Sequence, residues 1–194
     1  CVIVKLYSRK NQIVRRSVNL SKQTHIIAAN IDQALLMITL DSPVTTTGFI
    51  DRFLVAANAY SVDVVLLFNK TDLLGEKLKL EQEELQRVYA SIGYKCFSCS
   101  VINDDLSYVK KLMQGKVNML SGHSGVGKST LINKLQPNLD IVTKEVSNAY
   151  KQGQHTTVFS ELYEMDFGAS IIDTPGIRGF GLVNLDANEI GNYF

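Results

Sequence analysis

Cysteine is scarce: Cys1, Cys96 and Cys99 are the only three in 194 residues, too few for a disulfide framework. Charge of one sign is also lacking. The formal net charge is +1, so the chain as a whole has no strong electrostatic pull toward nucleic acid or membrane. No apolar run approaches the roughly 18 residues of a membrane span, and no signal peptide or internal repeat is visible. What is present is 45% hydrophobic and 20% charged residues, the composition of a globular core in one domain, or one domain with a fragment of another. Cys96-x-x-Cys99 has the spacing of half a zinc site or a redox pair. It lies in the apolar stretch "YKCFSCS" with no second Cys/His pair at ligand spacing, so it is read as structural. Unpaired cysteines point to the cytoplasm. The first residue is Cys1 rather than Met, and "ANEIGNYF" at the end carries no helix stop. Both ends are therefore expected to be cuts through a longer protein.

Residues 1–26 alternate at Val2, Val4 and Leu6, then at Ile13 and Val14. They read as strand, turn and strand, with Arg15 and Arg16 on the second strand. From Ile31 onward, buried strands alternate with amphipathic helices. "ALLMITL" is a continuous apolar strand, and "GFIDRFLVAANAY" places Phe49, Phe53 and Ala57 on one helical face. "DVVLLFN" is a strand. "EKLKLEQEELQRVYASIG" is a helix with Leu78, Leu85, Val88 and Ile92 inward and Gly93 as its stop. "YKCFSCS" is a strand, and "NDDLSYVKKLMQG" a helix with Asn103 as candidate cap and Gly115 as stop. "KVNMLSG" is a strand, and a helix runs from Gly127 through Leu135. An aperiodic polar stretch follows, then "TVFSELYEMD" and "GASIIDTPG", which read as an antiparallel hairpin. Alternating strands and helices imply a mainly parallel sheet with helices on both faces.

Three groups of residues carry chemistry. "GHSGVGKST" spans Gly122, His123, Ser124, Gly125, Val126, Gly127, Lys128, Ser129 and Thr130, and satisfies Gly-x-x-x-x-Gly-Lys-Ser between a strand and a helix. Its glycines allow backbone N–H groups to turn around a polyphosphate, and the helix N-terminus adds partial positive charge. Lys128 would contact the β- and γ-phosphates, and Ser129 would bind Mg2+. His123 is read as structural, because such a loop presents backbone to phosphate. The second group, "NKTD", ends an apolar strand with Asn69, Lys70, Thr71 and Asp72. Asp72 can accept from guanine N1–H and the exocyclic amine, Lys70 can lay its stem over the base, and Asn69 can tie this loop to the phosphate loop. Adenine lacks both donors for Asp72. Ser98, Cys99 and Ser100 end the next strand, where N–H groups can meet the guanine carbonyl. The third group is switch-like. In "DTPG", Asp173 would hold Mg2+, and the Gly176 N–H would meet the γ-phosphate. In "GQHTT", one threonine would ligate Mg2+, Thr157 in preference to Thr156.

The order is unusual. A Ras-like G domain has its phosphate loop first, whereas here "NKTD" precedes it. Rotating the chain restores the usual order, and a parallel sheet tolerates this because each motif sits on its own strand end. The fold class expected is α/β: a circularly permuted Ras-like P-loop GTPase domain. The permuted order with "GHSGVGKSTLIN", "GQHTT" and "DTPGIRGF" resembles the bacterial ribosome small subunit-dependent GTPase A family (RsgA, also called YjeQ). "SRKNQIVRR" followed by "IAANID" resembles that family's passage from an OB-fold into its G domain. The resemblance implies an OB-fold tail over residues 1–26 and a permuted G domain over residues 27–194. It also implies a zinc domain that would lie outside this sequence.

The implied function is GTP binding and hydrolysis in late maturation of the small ribosomal subunit. GTP or GDP and Mg2+ would be bound, and zinc only in the further domain. The implied partner is the small subunit and its rRNA, reached mainly through flanking domains. A cytoplasmic monomer with no membrane contact is expected. Ras-like enzymes place Gln after the switch glycine, but here Ile177 stands there, so slow intrinsic turnover is expected. His155 is the candidate water-positioning group, with Lys128 and Thr157 on the phosphate side. The alternatives for His155 are an exposed loop residue or an rRNA contact. Two other functions stay open: a large-subunit assembly GTPase of permuted type, and a GTP-dependent binding switch with incidental hydrolysis.

Overall fold

The structure is a computed structural model that describes residues 3–16, 24–139, 141, 160–175 and 190–193. Its centre is β3 (Gln33–Ile38), in which all six residues are buried. Burial on both faces is what a central parallel strand requires, and it is why "ALLMI" shows no polar alternation. On one side β3 pairs in parallel with β4 (Asp63–Phe68), which pairs with β5 (Lys95–Ser98). On the other side it pairs in parallel with β6 (Val117–Ser121), and β6 pairs with β8 (Ala169–Asp173). β7 (Glu161–Met165) is antiparallel to β8, as the hairpin reading expects.

The sheet order among the described residues is therefore β5-β4-β3-β6-β8-β7. Renumbered from β6 through β8 and then β3 through β5, as first to sixth, the strands lie sixth-fifth-fourth-first-third-second. Strand order reverses at β6, so the loop after β6 opens into the crevice where such sheets bind ligands. The permutation moves the chain ends and leaves every strand beside its usual neighbours.

Side chains of β3 alternate between two cores. Ala34, Leu36 and Ile38 face α1 (Thr47–Ala59) and α2 (Glu76–Ser91), against Phe49, Phe53, Leu66 and Tyr89. Leu35 and Met37 face α3 (Ser107–Met113) and α4 (Lys128–Leu135), against Val109, Met113, Leu131 and Ile132. Phe49, Phe53 and Ala57 are buried together as their spacing predicts, and the Thr46 hydroxyl caps α1 by accepting from the Phe49 N–H. Gly93 and Gly115 follow α2 and α3 with φ of +98° and +72°, the left-handed stop that glycine permits.

Several expectations need correction. Val88 and Ile92 are 52% and 56% exposed, while Gln82 and Tyr89 are 5% and 4%. The inner stripe of α2 is Leu78, Gln82, Leu85 and Tyr89. A glutamine sits on the apolar face, Val88 falls beside the stripe, and Ile92 lies past the last helical residue. Asn103 does not cap α3: its N–H donates to Ser100 in a turn ahead of the helix, which begins at Ser107. Residues 3–10 join no ladder among the described residues, and Val4 and Leu6 are 94% and 86% exposed; Val2 lies outside the described residues. The strand that does form is β1 (Gln12–Arg16), antiparallel to β2 (Thr24–Ala29) in a separate two-stranded sheet.

That hairpin is fastened to the larger sheet. Ile13 and Ala28 belong to the same core as α1. The Asn11 side chain donates to the Ile31 carbonyl at 2.7 Å and accepts from the Ile31 N–H at 2.8 Å. Asp32 accepts from Lys10 at 2.7 Å and from the Val117 N–H at 2.8 Å. The Lys10 ammonium, then the Val117 N–H, hold the Asp32 carboxyl below its usual range. The hairpin is thus linked to the base of β6, the strand whose other end carries the phosphate loop.

Candidate guanine-nucleotide site

β4, β5, β6 and β8 all deliver polar residues from their C-terminal ends, which a parallel sheet places on one edge. The loop after β6 is shaped by close approaches. Gly122 adopts φ +140°, and a Cβ there would lie 2.6 Å from the Met37 carbonyl oxygen of β3. Gly127 adopts φ +106° as the residue before α4, and a Cβ there would lie 2.5 Å from Asn69 Nδ2. Neither position admits another residue without displacing backbone or the Asn69 amide.

Asn69 is buried, and its amide spans both motifs. Nδ2 donates to the Val126 carbonyl at 2.8 Å, and Oδ1 accepts from the Val101 N–H at 3.0 Å and the Cys99 thiol at 3.6 Å. One side chain therefore joins the ends of β4 and β5 to the loop after β6, as expected of it. Lys70 has φ +65°, and its Nζ donates to the Ser42 carbonyl at 2.6 Å. The Thr71 N–H donates to the Cys99 carbonyl at 3.3 Å. Asp72 is exposed in the short turn that follows.

The N–H groups after β5 are distributed in a definite way. That of Cys99 belongs to the ladder, donating to the Phe68 carbonyl at 2.8 Å. That of Ser100 donates to the exposed Asp104 carboxylate at 2.7 Å, a partner that can be exchanged. The Ser98 hydroxyl turns toward α2, where Gln82 and Gln86 donate to it at 2.9 Å and 2.8 Å. Cys96 packs in the core on the α1 side and Cys99 in the core on the α3 side. The two thiols thus lie on opposite faces of the sheet, which removes the redox-pair and half-zinc readings. Burial pushes both thiols up, to about 11 for Cys96 and about 12 for Cys99, so neither is a ready thiolate.

On the phosphate side, Lys128 is 7% exposed, and its Nζ donates to the carbonyls of Gly122 and His123 at 3.1 Å and 3.0 Å. Burial lowers its pKa to about 8, against the opposing pull of the Asp173 carboxylate. Asp173 is fully buried, and Ser129 is 8% exposed beside Lys128 at the start of α4. The His123 ring packs on Phe49 with centroids 4.1 Å apart. Thr174, which sequence reasoning passed over inside "DTPG", fixes the end of β8: its hydroxyl donates to the Leu120 carbonyl at 2.8 Å. Gly153, His155, Thr156, Thr157, Gly176 and Ile177 lie outside the described residues. Among the described residues, no group of three or more His, Cys, Asp and Glu is arranged to hold a metal. None of their helices is long and apolar enough to cross a membrane.

Comparisons with known proteins follow the same lines. A family model described as RsgA GTPase matches residues 6–183. The small ribosomal subunit biogenesis GTPase RsgA of Flavobacterium johnsoniae is 55% identical over 190 residues, covering 97% of this chain and 58% of that protein. Its namesake from Christiangramia forsetii is 55% identical over 194 residues, covering 100% of this chain and 62% of that protein. The chain thus spans about six-tenths of the length of these relatives. Among solved structures, YjeQ from Thermotoga maritima aligns with a TM-score of 0.76 at 30% identity, over 98% of this chain and 60% of that one. YloQ, titled a circularly permuted GTPase, aligns at 0.69 and 24% identity over 98% of this chain and 56% of that one, a likeness of fold. On the matched residues and the identities to its relatives, the chain belongs to the RsgA GTPase family.

Proposed function

We propose that this chain is the guanine-nucleotide-binding part of a cytoplasmic enzyme that hydrolyses GTP to GDP and phosphate during late maturation of the small ribosomal subunit. The observation that carries the reading is the Asn69 amide, which holds the base-reading loop against the phosphate loop through Val126. Two motifs far apart in the chain, in inverted order, then form one site. Asp72 reads the guanine edge, the Lys70 stem covers one face of the base, and the Ser100 N–H meets its carbonyl after leaving Asp104.

Lys128 trades the Gly122 and His123 carbonyls for phosphate oxygens and stabilises the charge that develops on the transferring phosphoryl group. Ser129 and Asp173 offer a hydroxyl and a buried carboxylate, hard oxygen donors of the kind Mg2+ takes alongside nucleotide phosphates. Mg2+ bound there, with Thr157 as a further oxygen, would neutralise the polyphosphate. The Gly176 N–H senses the γ-phosphate, and His155 positions the attacking water, because Ile177 has no group that could. Zinc, in this reading, belongs to residues outside this sequence.

Charge segregation supports an RNA partner. Residues 1–26 hold six of the 20 Lys and Arg and none of the 19 Asp and Glu, a net +6 against −5 (14 minus 19) for the rest. The overall +1 hides a basic N-terminal segment of the kind that neutralises RNA phosphates. We assign that segment, extended from the expected boundary at residue 26 to the end of β2 at Ala29, to an OB-fold tail contacting the subunit, with the remaining residues as a monomeric permuted G domain. Ile177 also favours a second reading, a GTP-dependent binding switch with incidental hydrolysis. Multiple-turnover GTP hydrolysis by the full-length protein, with and without small subunits, decides between them. Strong stimulation is expected, and turnover that stays slow with saturating subunits overturns the enzymatic reading.

A further inference from the structure

We propose that the loop over residues 39–45, between β3 and α1, is a shelf that positions Lys70 for guanine binding, with Thr39 and Asp41 as positioning residues. The inference rests on the guanine reading above and adds to it a loop that none of the nucleotide-binding motifs contains.

The shelf is stitched together internally. The Thr39 N–H donates to Thr45 Oγ1 at 3.2 Å, and the Thr45 N–H returns to the Thr39 carbonyl at 2.8 Å. The Thr39 hydroxyl donates to the Pro43 carbonyl. Thr39 and Thr45 are 0% and 5% exposed, so these bonds are shielded from water. Asp41 Oδ1 accepts from the Ser42 N–H at 2.9 Å and the Ser42 hydroxyl at 3.2 Å. The Ser42 carbonyl of this loop accepts from Lys70 Nζ at 2.6 Å. Burial lowers the Lys70 pKa, while the Asp41 and Asp72 carboxylates favour its charge. The stem is thus shielded and the ammonium held by the shelf.

The backbone end of Lys70 is fixed as well. The Leu73 N–H donates to the Lys70 carbonyl at 3.1 Å, and the next residue, Thr71, is bonded to Cys99. A lysine stem is otherwise free to sample many rotamers, and ordering it on ligand binding costs affinity. A stem tethered at both ends is already ordered when the purine arrives, so the shelf acts on affinity by pre-organisation. Its loss would appear in the dissociation constant and in KM rather than in kcat.

The experiment is a double-mutant cycle on the full-length protein, reading GDP affinity by equilibrium titration. Thr39→Val is expected to weaken GDP binding about 3- to 10-fold, and Asp41→Asn about 2- to 3-fold. Both losses are expected to vanish in a Lys70→Ala background, and KM for GTP to rise more than kcat falls. A loop that serves only stability would give losses that persist in full beside Lys70→Ala, and that result overturns the proposal. Unchanged GDP affinity in both single variants overturns it equally. Asp41 is exposed, so Asp41→Asn keeps the test alive should Thr39→Val lower the melting temperature. The GDP-to-ADP affinity ratio of the unmodified protein tests the underlying reading separately. A ratio near one removes the guanine site itself, whereas a large ratio with additive losses removes only the shelf.

Discussion

Asn69 Nδ2 and Gly127 stand so close that a Cβ on the glycine would lie 2.5 Å from the amide nitrogen. The same nitrogen donates to the carbonyl of Val126, the residue before Gly127. The glycine is thus demanded twice, by its φ of +106° and by the side chain that joins base loop to phosphate loop.

Gly127→Ala should therefore lose stability and ligand together. A left-handed alanine costs ~1–2 kcal/mol, and the clash adds displacement of Asn69. GDP affinity is expected to fall by more than about tenfold, since two elements of the site move. Gly93→Ala is the control: Gly93 has φ +98° with nothing within 4 Å of its Cβ position. It should cost only the backbone part of that stability and leave GDP affinity unchanged. Calorimetric melting and nucleotide titration of both variants check the pair.

If Lys128 contacts the phosphates as proposed, nucleotide binding should be sensitive to alkaline pH. Its pKa in the ligand-free protein is lowered to about 8 by burial, with Asp173 opposing. Phosphates favour the charged form, so the bound pKa is higher. Below about 8 the lysine is charged in both states and affinity is flat on this account. Above about 8 binding must take up a proton, and affinity falls by at most ~10-fold per pH unit. For folding, the sign differs from the usual lysine. The unfolded chain holds the proton up to the ordinary lysine value of 10.5, so between about 8 and 10.5 this group alone makes stability rise with pH. Cys96 and Cys99 oppose it: their raised folded pKa values make stability fall as the unfolded thiols ionise above the ordinary value of 9.0. Binding calorimetry in buffers of different ionisation enthalpy, run on the unmodified protein and on Lys128→Met, separates the lysine from the guanine N1–H. Proton uptake is expected at pH about 9 and none at pH about 7.

His155→Ala should leave GTP affinity and subunit binding in place and lower subunit-stimulated hydrolysis by about 10²- to 10⁴-fold, the range for a positioned general base. Single-turnover hydrolysis with saturating small subunits measures it. Stimulated turnover that survives intact assigns the water to the backbone or the ribosome.

Much of this architecture is legible in the chain because each nucleotide motif ends its own strand. "VVLLF" before Asn69 and "NML" before Ser121 are buried runs whose ends must meet at one sheet edge, whatever their order along the chain. The inner face of α2 is less legible, since Gln82 interrupts the apolar stripe and reaches the Ser98 hydroxyl across to β5. Val88 and Ile92 are more hydrophobic and still face water. Asn103 resembles a cap by residue type, but it lies in the Ser100–Asp104 turn, and α3 begins only at Ser107. The shelf at Thr39–Thr45 was hidden for another reason. Its bonds run through buried hydroxyls and backbone carbonyls, and "DSPVTTT" shows only that a turn follows β3.

The central claim is that motifs in permuted order assemble one guanine site, and competition binding to the full-length protein tests it most directly. GDP, ADP and xanthosine diphosphate are titrated against the unmodified protein and Asp72→Asn. GDP is expected to bind the unmodified protein by roughly 10⁴-fold over ADP, since adenine offers Asp72 no donor. Asp72→Asn is expected to weaken GDP and favour the xanthine nucleotide, because the donor–acceptor pattern at the base edge inverts. Equal affinity of the unmodified protein for GDP and ADP would contradict the account.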